Sequence, residues 1–273
     1  MPLAPDDPDF VNALARGLSV ITSFGQHAEI QTLSEVAAKT SLSRGTARRL
    51  LLTLEALGYV RSDGKTFRLA ARALNLGYAY LSSLPIWKMA QPIMKEVVTE
   101  LDESCSLGVL DDHDVVYIAR LPPKHLSFLP VNLGTRMPAH INAMGQVLLA
   151  EFSSDELDRY FANAKFERIT RYTPTSEGAI RKVLARVAKD RYALSDQQLQ
   201  LGLRSIAVPV PFKSGRAEVA INVSAEDHRM SRRDLIRRVF DDFRDSHFRF
   251  KEVIIALAKW SEFPPKRENG QTE

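Results

Sequence analysis

Residues 32–60 read TLSEVAAKTSLSRGTARRLLLTLEALGYV. Thr32 followed three positions later by Glu35 is the pattern of a capping box, in which side chain and backbone satisfy each other at a helix start. Leu33, Val36 and Ala37 then fall on one helical face. Lys39-Thr40 close that segment, the polar turn Thr40-Ser41-Leu42 follows, and Ser43 is the next N-cap candidate. A second helix is expected from Arg44 to about Leu57, stopped by Gly58. Its apolar set is Ala47, Leu50, Leu51, Leu54 and Leu57, and Arg44, Arg48 and Arg49 lie off that stripe in its first half. Two short helices joined by a tight turn, the second with arginines near its start, have the layout of a helix-turn-helix. Its second helix enters the major groove, where arginine grips guanine edges or phosphates.

The residues on either side complete the unit. Downstream, Tyr59-Val60-Arg61-Ser62-Asp63-Gly64-Lys65-Thr66-Phe67-Arg68-Leu69 alternates about Asp63-Gly64, a two-residue hairpin signal. Arg61, Lys65 and Arg68 make that hairpin a basic wing. Upstream, Phe10 to Phe24 carries Val11, Leu14, Leu18, Ile21 and Phe24 at helical spacing, with Gly25 past its end. Gly64-Lys65-Thr66 ends like a phosphate-binding loop, but Tyr59 stands where that motif needs glycine. The reading is a winged helix, with Ser43, Arg44, Thr46, Arg48, Arg49, Arg61, Lys65 and Arg68 as candidate DNA contacts.

Charge supports this only when partitioned. The 273 residues carry 37 Lys and Arg against 33 Asp and Glu, a formal +4. Between Lys39 and Arg72 there are eight basic residues against Glu55 and Asp63, a local +6. Such density attracts a polyanion by counterion release. A solvated charged face is the plain alternative, but here the charges gather on the elements that would touch a duplex. Cys105 is the single cysteine, which excludes an internal disulfide and a multi-cysteine zinc site. Met1 to Asp9 has no basic n-region or apolar h-region, and no stretch is long and apolar enough to span a membrane. A cytoplasmic protein without signal peptide, membrane partner, metal or cofactor is expected.

Beyond residue 70, Ala71–Leu84 reads as a helix interrupted at Pro85. Trp87, Ala90, Met94, Val97 and Leu101 then recur at helical spacing, with Pro92 marking a kink or a late start. That stripe fits packing onto the C-terminal domain or a dimer seam equally. Cys105–Leu110 and Val115–Ala119 alternate about Asp111-Asp112-His113-Asp114, a hairpin whose acidic turn is a solvated turn rather than a metal site. Cys105 reads as a buried small residue. Leu126–Leu133 reads as a strand, Gly134-Thr135-Arg136 as a loop and Asn142–Glu151 as a helix. Further on, Thr175–Lys189 reads as a helix, Tyr192–Ser195, Ile206–Val210 and Ala217–Val223 as strands, Lys213-Ser214-Gly215 as a turn, and Ser231–Ala258 as largely helical. No Gly-x-Ser-x-Gly, His-Glu-x-x-His or Gly-x-Gly-x-x-Gly is present, so no catalytic constellation is expected.

FVNALARGLSVITSFG (10–25), the stretch 32–60 and FRLAARALNLGYAYLSS (67–83) resemble the DNA-binding half of IclR-type transcriptional regulators. LDESCSLGVLDDHDVVYIAR (101–120), GTRMPAHINAMGQVLLA (134–150) and LGLRSIAVPV (201–210) carry the resemblance through nearly the whole chain. It is greatest to the branch controlling aromatic-acid catabolism, of protocatechuate or 4-hydroxybenzoate toward β-ketoadipate. It implies an α+β protein: a winged helix over 1–77, linker helices over 78–102 that help dimerisation, and a GAF-like α/β effector-binding domain over 103–262. Residues 263–273 are expected to be a disordered polar tail. The implied partners are operator double-stranded DNA, a small organic-acid effector and a second copy of the chain, as a dimer or tetramer.

The resemblance places effector contacts at Ala143, Met144, Asp196, Ser205, Asn222 and Ser224. Carboxylate chemistry adds Arg136, His140, Asn142 and Arg204. Departures from the branch fall at His140, Ile141, Asn142, Ala143 and Gln146, and at Gln198 and Gln200. Two rivals stand beside this reading: a regulator of the same family sensing a non-aromatic acid, and a winged-helix protein-interaction module. Steep loss of duplex affinity with salt separates the module from either regulator.

Overall fold

The computed structural model describes residues 4–25, 28–124, 131–211 and 216–240, and the chain divides into two units, Met1–Leu84 and Pro85–Glu273. The first contains α1 (Asn12–Thr22), β1 (Ile30–Thr32), α2 (Leu33–Thr40), α3 (Arg44–Ala56), β2 (Val60–Ser62), β3 (Thr66–Leu69) and α4 (Leu74–Ser83). The capping box is complete: the Thr32 N–H donates to the Glu35 carboxylate at 2.7 Å and the Glu35 N–H to the Thr32 hydroxyl at 3.3 Å. Ser41 in the left-handed region (φ +56°) ends α2, and the Ser43 hydroxyl accepts from the Thr46 N–H at 3.2 Å to start α3. Gly58 (φ +78°) turns the chain out of α3, where a side chain would be strained. Arg72 donates to the Leu57 carbonyl at 2.8 Å, so this member of the basic cluster caps a helix.

Val20, Val36, Leu51, Leu54 and Val60 are the buried centre of this unit. The α1 stripe does not face it as its periodicity suggests. Phe24 is buried, but Val11, Leu14 and Leu18 are exposed, as is Leu57 at the end of α3. The wing differs in detail too. Ser62 pairs with Phe67, so four residues rather than two make the turn. The Asp63 carboxylate accepts from the N–H groups of Thr66 and Lys65 at 2.7 and 2.9 Å, a side-chain turn that closes the loop. Those donors hold its carboxyl at about 2.

The second unit begins with α5 (Pro85–Leu101), which continues through Pro92 and packs against β4 (Ser104–Asp111) and β5 (Asp114–Leu121). Ala90, Met94 and Val97 are fully buried within the unit, which settles their stripe as intramolecular packing. The Trp87 side chain lies outside the described residues. β6 (Arg136–Pro138), α6 (Ala143–Leu149), α7 (Ser154–Asn163), α8 (Glu177–Asp190), β7 (Ala193–Asp196), β8 (Leu203–Pro211), β9 (Ala217–Glu226) and α9 (Arg232–Phe240) follow. The sheet is antiparallel throughout, in the order β6-β5-β4-β9-β8-β7.

Residues 126–130 of the expected strand lie outside the described residues, and 131–133 carry no strand. Gly134 (φ +81°) and the Asn132 N–H bonded to the Thr135 hydroxyl at 2.9 Å make a turn there, and the pairing strand is 136–138. The expected turn at 213–215, the helix beyond Phe240 and the tail at 263–273 also lie outside them. At Gly145 a Cβ would meet the Ala139 carbonyl oxygen at 2.2 Å. Only glycine lets α6 press against the 3-10 turn Ala139–Ile141, and that contact sets its first residues over the sheet.

Candidate functional site

In the first unit the candidate contacts share two elements. Arg44, Arg48 and Arg49 are exposed on the first half of α3, and Arg61, Lys65 and Arg68 are exposed on the wing. None of the six has a salt bridge or a side-chain hydrogen bond among the described residues. Thr46 is half-buried, and its hydroxyl accepts from that of Ser43 at 3.0 Å, so both hydroxyls also serve the helix start. On the wing, Arg61 pairs directly opposite Arg68. Like charges in that position destabilise a sheet. Neither arginine has a salt bridge among the described residues, and an external polyanion would remove the repulsion.

In the second unit the site grows from a row of serines. Ser104 pairs with Ser224, Ser224 with Ser205, and Ser205 with Ser195, crossing β4, β9, β8 and β7. Directly paired residues share a face, as do residues two apart, so Ser106 and Asn222 belong with them. Ser104, Ser106, Ser195, Ser205 and Asn222 are all buried. Polar side chains inside a sheet are costly unless they are hydrogen-bonded. Here the Asn222 amide donates to the Ser224 hydroxyl at 3.0 Å, the Ser205 and Ser224 hydroxyls bond each other, and the Ser195 hydroxyl donates to the Ile141 carbonyl at 2.7 Å. The Asn222 Oδ1 is buried without a partner among the described residues.

The N-terminus of α6 forms the roof. The Asn142 side chain accepts from the Met144 N–H and donates to the Tyr117 hydroxyl, both at 2.9 Å. A cavity lies between roof and floor, with Asn142, Ala143, Ser205 and Ser224 among its lining residues. Apolar wall comes from Val131, Ile141, Leu199 and Leu203. Burial pushes the Tyr117 phenol above its ordinary pKa and the Arg120 guanidinium below its own, as expected where water is scarce.

Other candidates lie elsewhere. Arg136 is on an edge strand, bonded to Asp111 at 2.6 Å and Asp114 at 3.1 Å. His140 is buried against Phe166, and burial lowers its pKa to about 4. Met144 sits over Gly108. Arg204 donates to Asp196 at 2.9 Å and to the carbonyls of Asp227 and Met230 at 2.9 and 3.0 Å. Being adjacent to Ser205 and Ser195, Arg204 and Asp196 point to the opposite face. Asp196 lines a different cleft together with Gln146 and Gln198, two of the departures noted above, which bond each other at 2.8 Å. Tyr117, Arg120, Ser104 and Ser195 line the cavity and were not anticipated. The serines had a signal in the strand spacing, Arg120 none. Cys105 is buried on the other face, with its thiol pushed upward by burial. No cluster with metal-ligating capacity occurs among the described residues.

A winged helix with exposed arginines, followed in the chain by a sheet domain with a polar cavity, matches known proteins over both parts. Residues 13–64 match the IclR helix-turn-helix domain and residues 78–246 match the bacterial transcriptional regulator IclR C-terminal model. The chain belongs to the IclR family of transcriptional regulators. It is 36% identical over 233 residues to the Pca regulon regulatory protein of Pseudomonas putida, covering 85% of this chain and 80% of that one. It is 33% identical to the p-hydroxybenzoate hydroxylase transcriptional activator of Acinetobacter baylyi, covering 90% and 93%. The solved structure of a transcriptional regulator from Rhodococcus sp. RHA1 is 38% identical, with a TM-score of 0.75 over 92% of this chain and 98% of that one. IclR membership and the α+β architecture agree with the resemblance read from the sequence.

Proposed function

We propose that this IclR regulator reads its operator through α3 and the wing and is controlled by an aromatic acid bound in the cavity beneath α6. Ser43, Arg44, Thr46, Arg48 and Arg49 would enter or flank the major groove, with Arg61, Lys65 and Arg68 on the adjoining backbone. The observation that carries the DNA reading is the set of six exposed basic side chains without partners among the described residues, two of them facing each other across the wing. The aromatic-acid reading is supported by relatives named for the Pca regulon and for p-hydroxybenzoate hydroxylase, and by an IclR homologue from Microbacterium hydrocarbonoxydans solved with 4-hydroxybenzoate. That last protein is 20% identical and bears on this chain through its fold.

Self-association is supported by exposed apolar side chains of the first unit: Leu74, Leu76, Tyr78 and Tyr80 on α4, and Val11, Leu14 and Leu18 near α1. Such surface marks contact sites, and a dimer would suit a two-fold operator. The protein would act in the cytoplasm, where its DNA is. Control requires the effector to bind the DNA-competent and incompetent arrangements unequally, since equal affinity shifts nothing.

The test is selection of duplexes from a random pool by the full chain, with and without protocatechuate or 4-hydroxybenzoate. Enrichment of a pseudo-palindrome whose occupancy changes with the acid is expected. Absence of any enriched sequence would sink the operator reading, and enrichment indifferent to both acids would sink the effector reading alone.

A further inference from the structure

On β5, Tyr117 and Arg120 are three positions apart, and in a regular strand they would point to opposite faces. The pairing shows why they do not. Gly108 pairs with Tyr117 and Leu107 with Ala119, so Ile118 is left without a partner and the strand bulges. One extra residue re-aims every side chain beyond it. Arg120 thereby falls opposite Ser106, which is itself opposite Asn222, and joins the polar floor. Tyr117 and Arg120 both line the cavity.

We propose that Arg120 is the residue that binds the effector's carboxylate, which rests on the cavity being the effector site. A guanidinium meets a carboxylate with two parallel hydrogen bonds and cannot lose its charge in water at neutral pH. Half-burial strengthens that attraction, because little solvent competes. The rest of the charged lining orients the ligand. Glu103 and Glu226 also border the cavity, and both would repel an anionic end. Glu103 is held by Arg229 at 3.0 Å. Glu226 has one oxygen 3.3 Å from His228 and the other buried without a hydrogen-bond partner among the described residues. A carboxylate directed at Arg120 with a hydroxyl donor directed toward Glu226 satisfies both ends. The ligand class is therefore a hydroxylated carboxylic acid, and the bulge at Ile118 creates the selectivity for its charge.

Calorimetry on the full chain tests this with 4-hydroxybenzoate, its uncharged amide 4-hydroxybenzamide, and the aliphatic acid adipate. Wild type is expected to prefer acid to amide by at least about tenfold, and Arg120→Gln to lose about 10- to 100-fold for the acid, with its preference over the amide gone. Arg120→Lys keeps the charge without the fork, so a several-fold loss is expected; it carries the test if the glutamine variant melts early. Operator binding without acid shows that each variant is folded. Unchanged acid affinity in these variants, or an acid preference that survives, overturns the proposal. Adipate binding that depends on Arg120, with no heat from the aromatic acid, upholds the anchor and overturns both the hydroxyl contact at Glu226 and the aromatic reading. No binding of any acid to wild type overturns both.

Discussion

Two sets of arginines, one in each unit, behave in opposite ways. Those of α3 and the wing stand exposed without partners among the described residues, and Arg61 and Arg68 face each other across the hairpin. In the second unit the two arginines that carboxylate chemistry singled out, Arg136 and Arg204, are each bonded to carboxylates of the protein. An arginine already satisfied by its own fold is holding that fold together. One held against its own kind, without a salt bridge among the described residues, fits the proposed role of meeting a partner outside the chain. Residue type alone does not separate these cases; pairing and strand parity do.

The contrast can be broken from the second unit first. Arg204 is only 16% exposed and ties Asp196 to two backbone carbonyls. Arg204→Ala should cost the unit about 3 kcal/mol in denaturant unfolding, since it leaves Asp196 half-buried and unpaired. Operator affinity of the folded fraction should be unchanged. The first unit should show the reverse. Arg61→Gln or Arg68→Gln removes a like-charge cross-strand pair, so thermal stability should hold or rise by about 0.5 kcal/mol. Duplex affinity should fall severalfold in the same variant. A stability loss without an affinity loss would place these arginines in the structural class and remove the contrast.

The first unit was legible because its signals are local. A capping box, a cap serine, a stop glycine and an Asp-Gly turn each act within a few residues, and periodicity adds the rest. Two readings failed there: the Asp-Gly signal placed the wing's turn but not its length, and Leu14 and Leu18 repeat at helical spacing yet lie open, because spacing marks an apolar face without saying what covers it. The second unit's hairpins and late strands were legible by alternation. The strand at 136–138 was hidden by its brevity, and α7 went unread although Ser153 and Glu156 form a capping box at its start. In the site, alternation already forbids Arg204 and Ser205 from facing the same cavity, which is a signal the sequence contained. Arg120 is different. Its orientation depends on a bulge that appears only when β4 and β5 are paired, so strict alternation puts it on the wrong face.

The central claim, that the free arginines of α3 exist to meet a polyanion, is tested most directly by the salt dependence of duplex binding. The logarithm of affinity should fall steeply against the logarithm of salt concentration, with a slope reduced by about one for each of Arg48→Ala and Arg49→Ala whose side chain meets a phosphate. Arg136→Ala, whose guanidinium is already paired, should keep the wild-type slope. Equal slopes for wild type and both α3 variants, with specificity intact, would contradict the account.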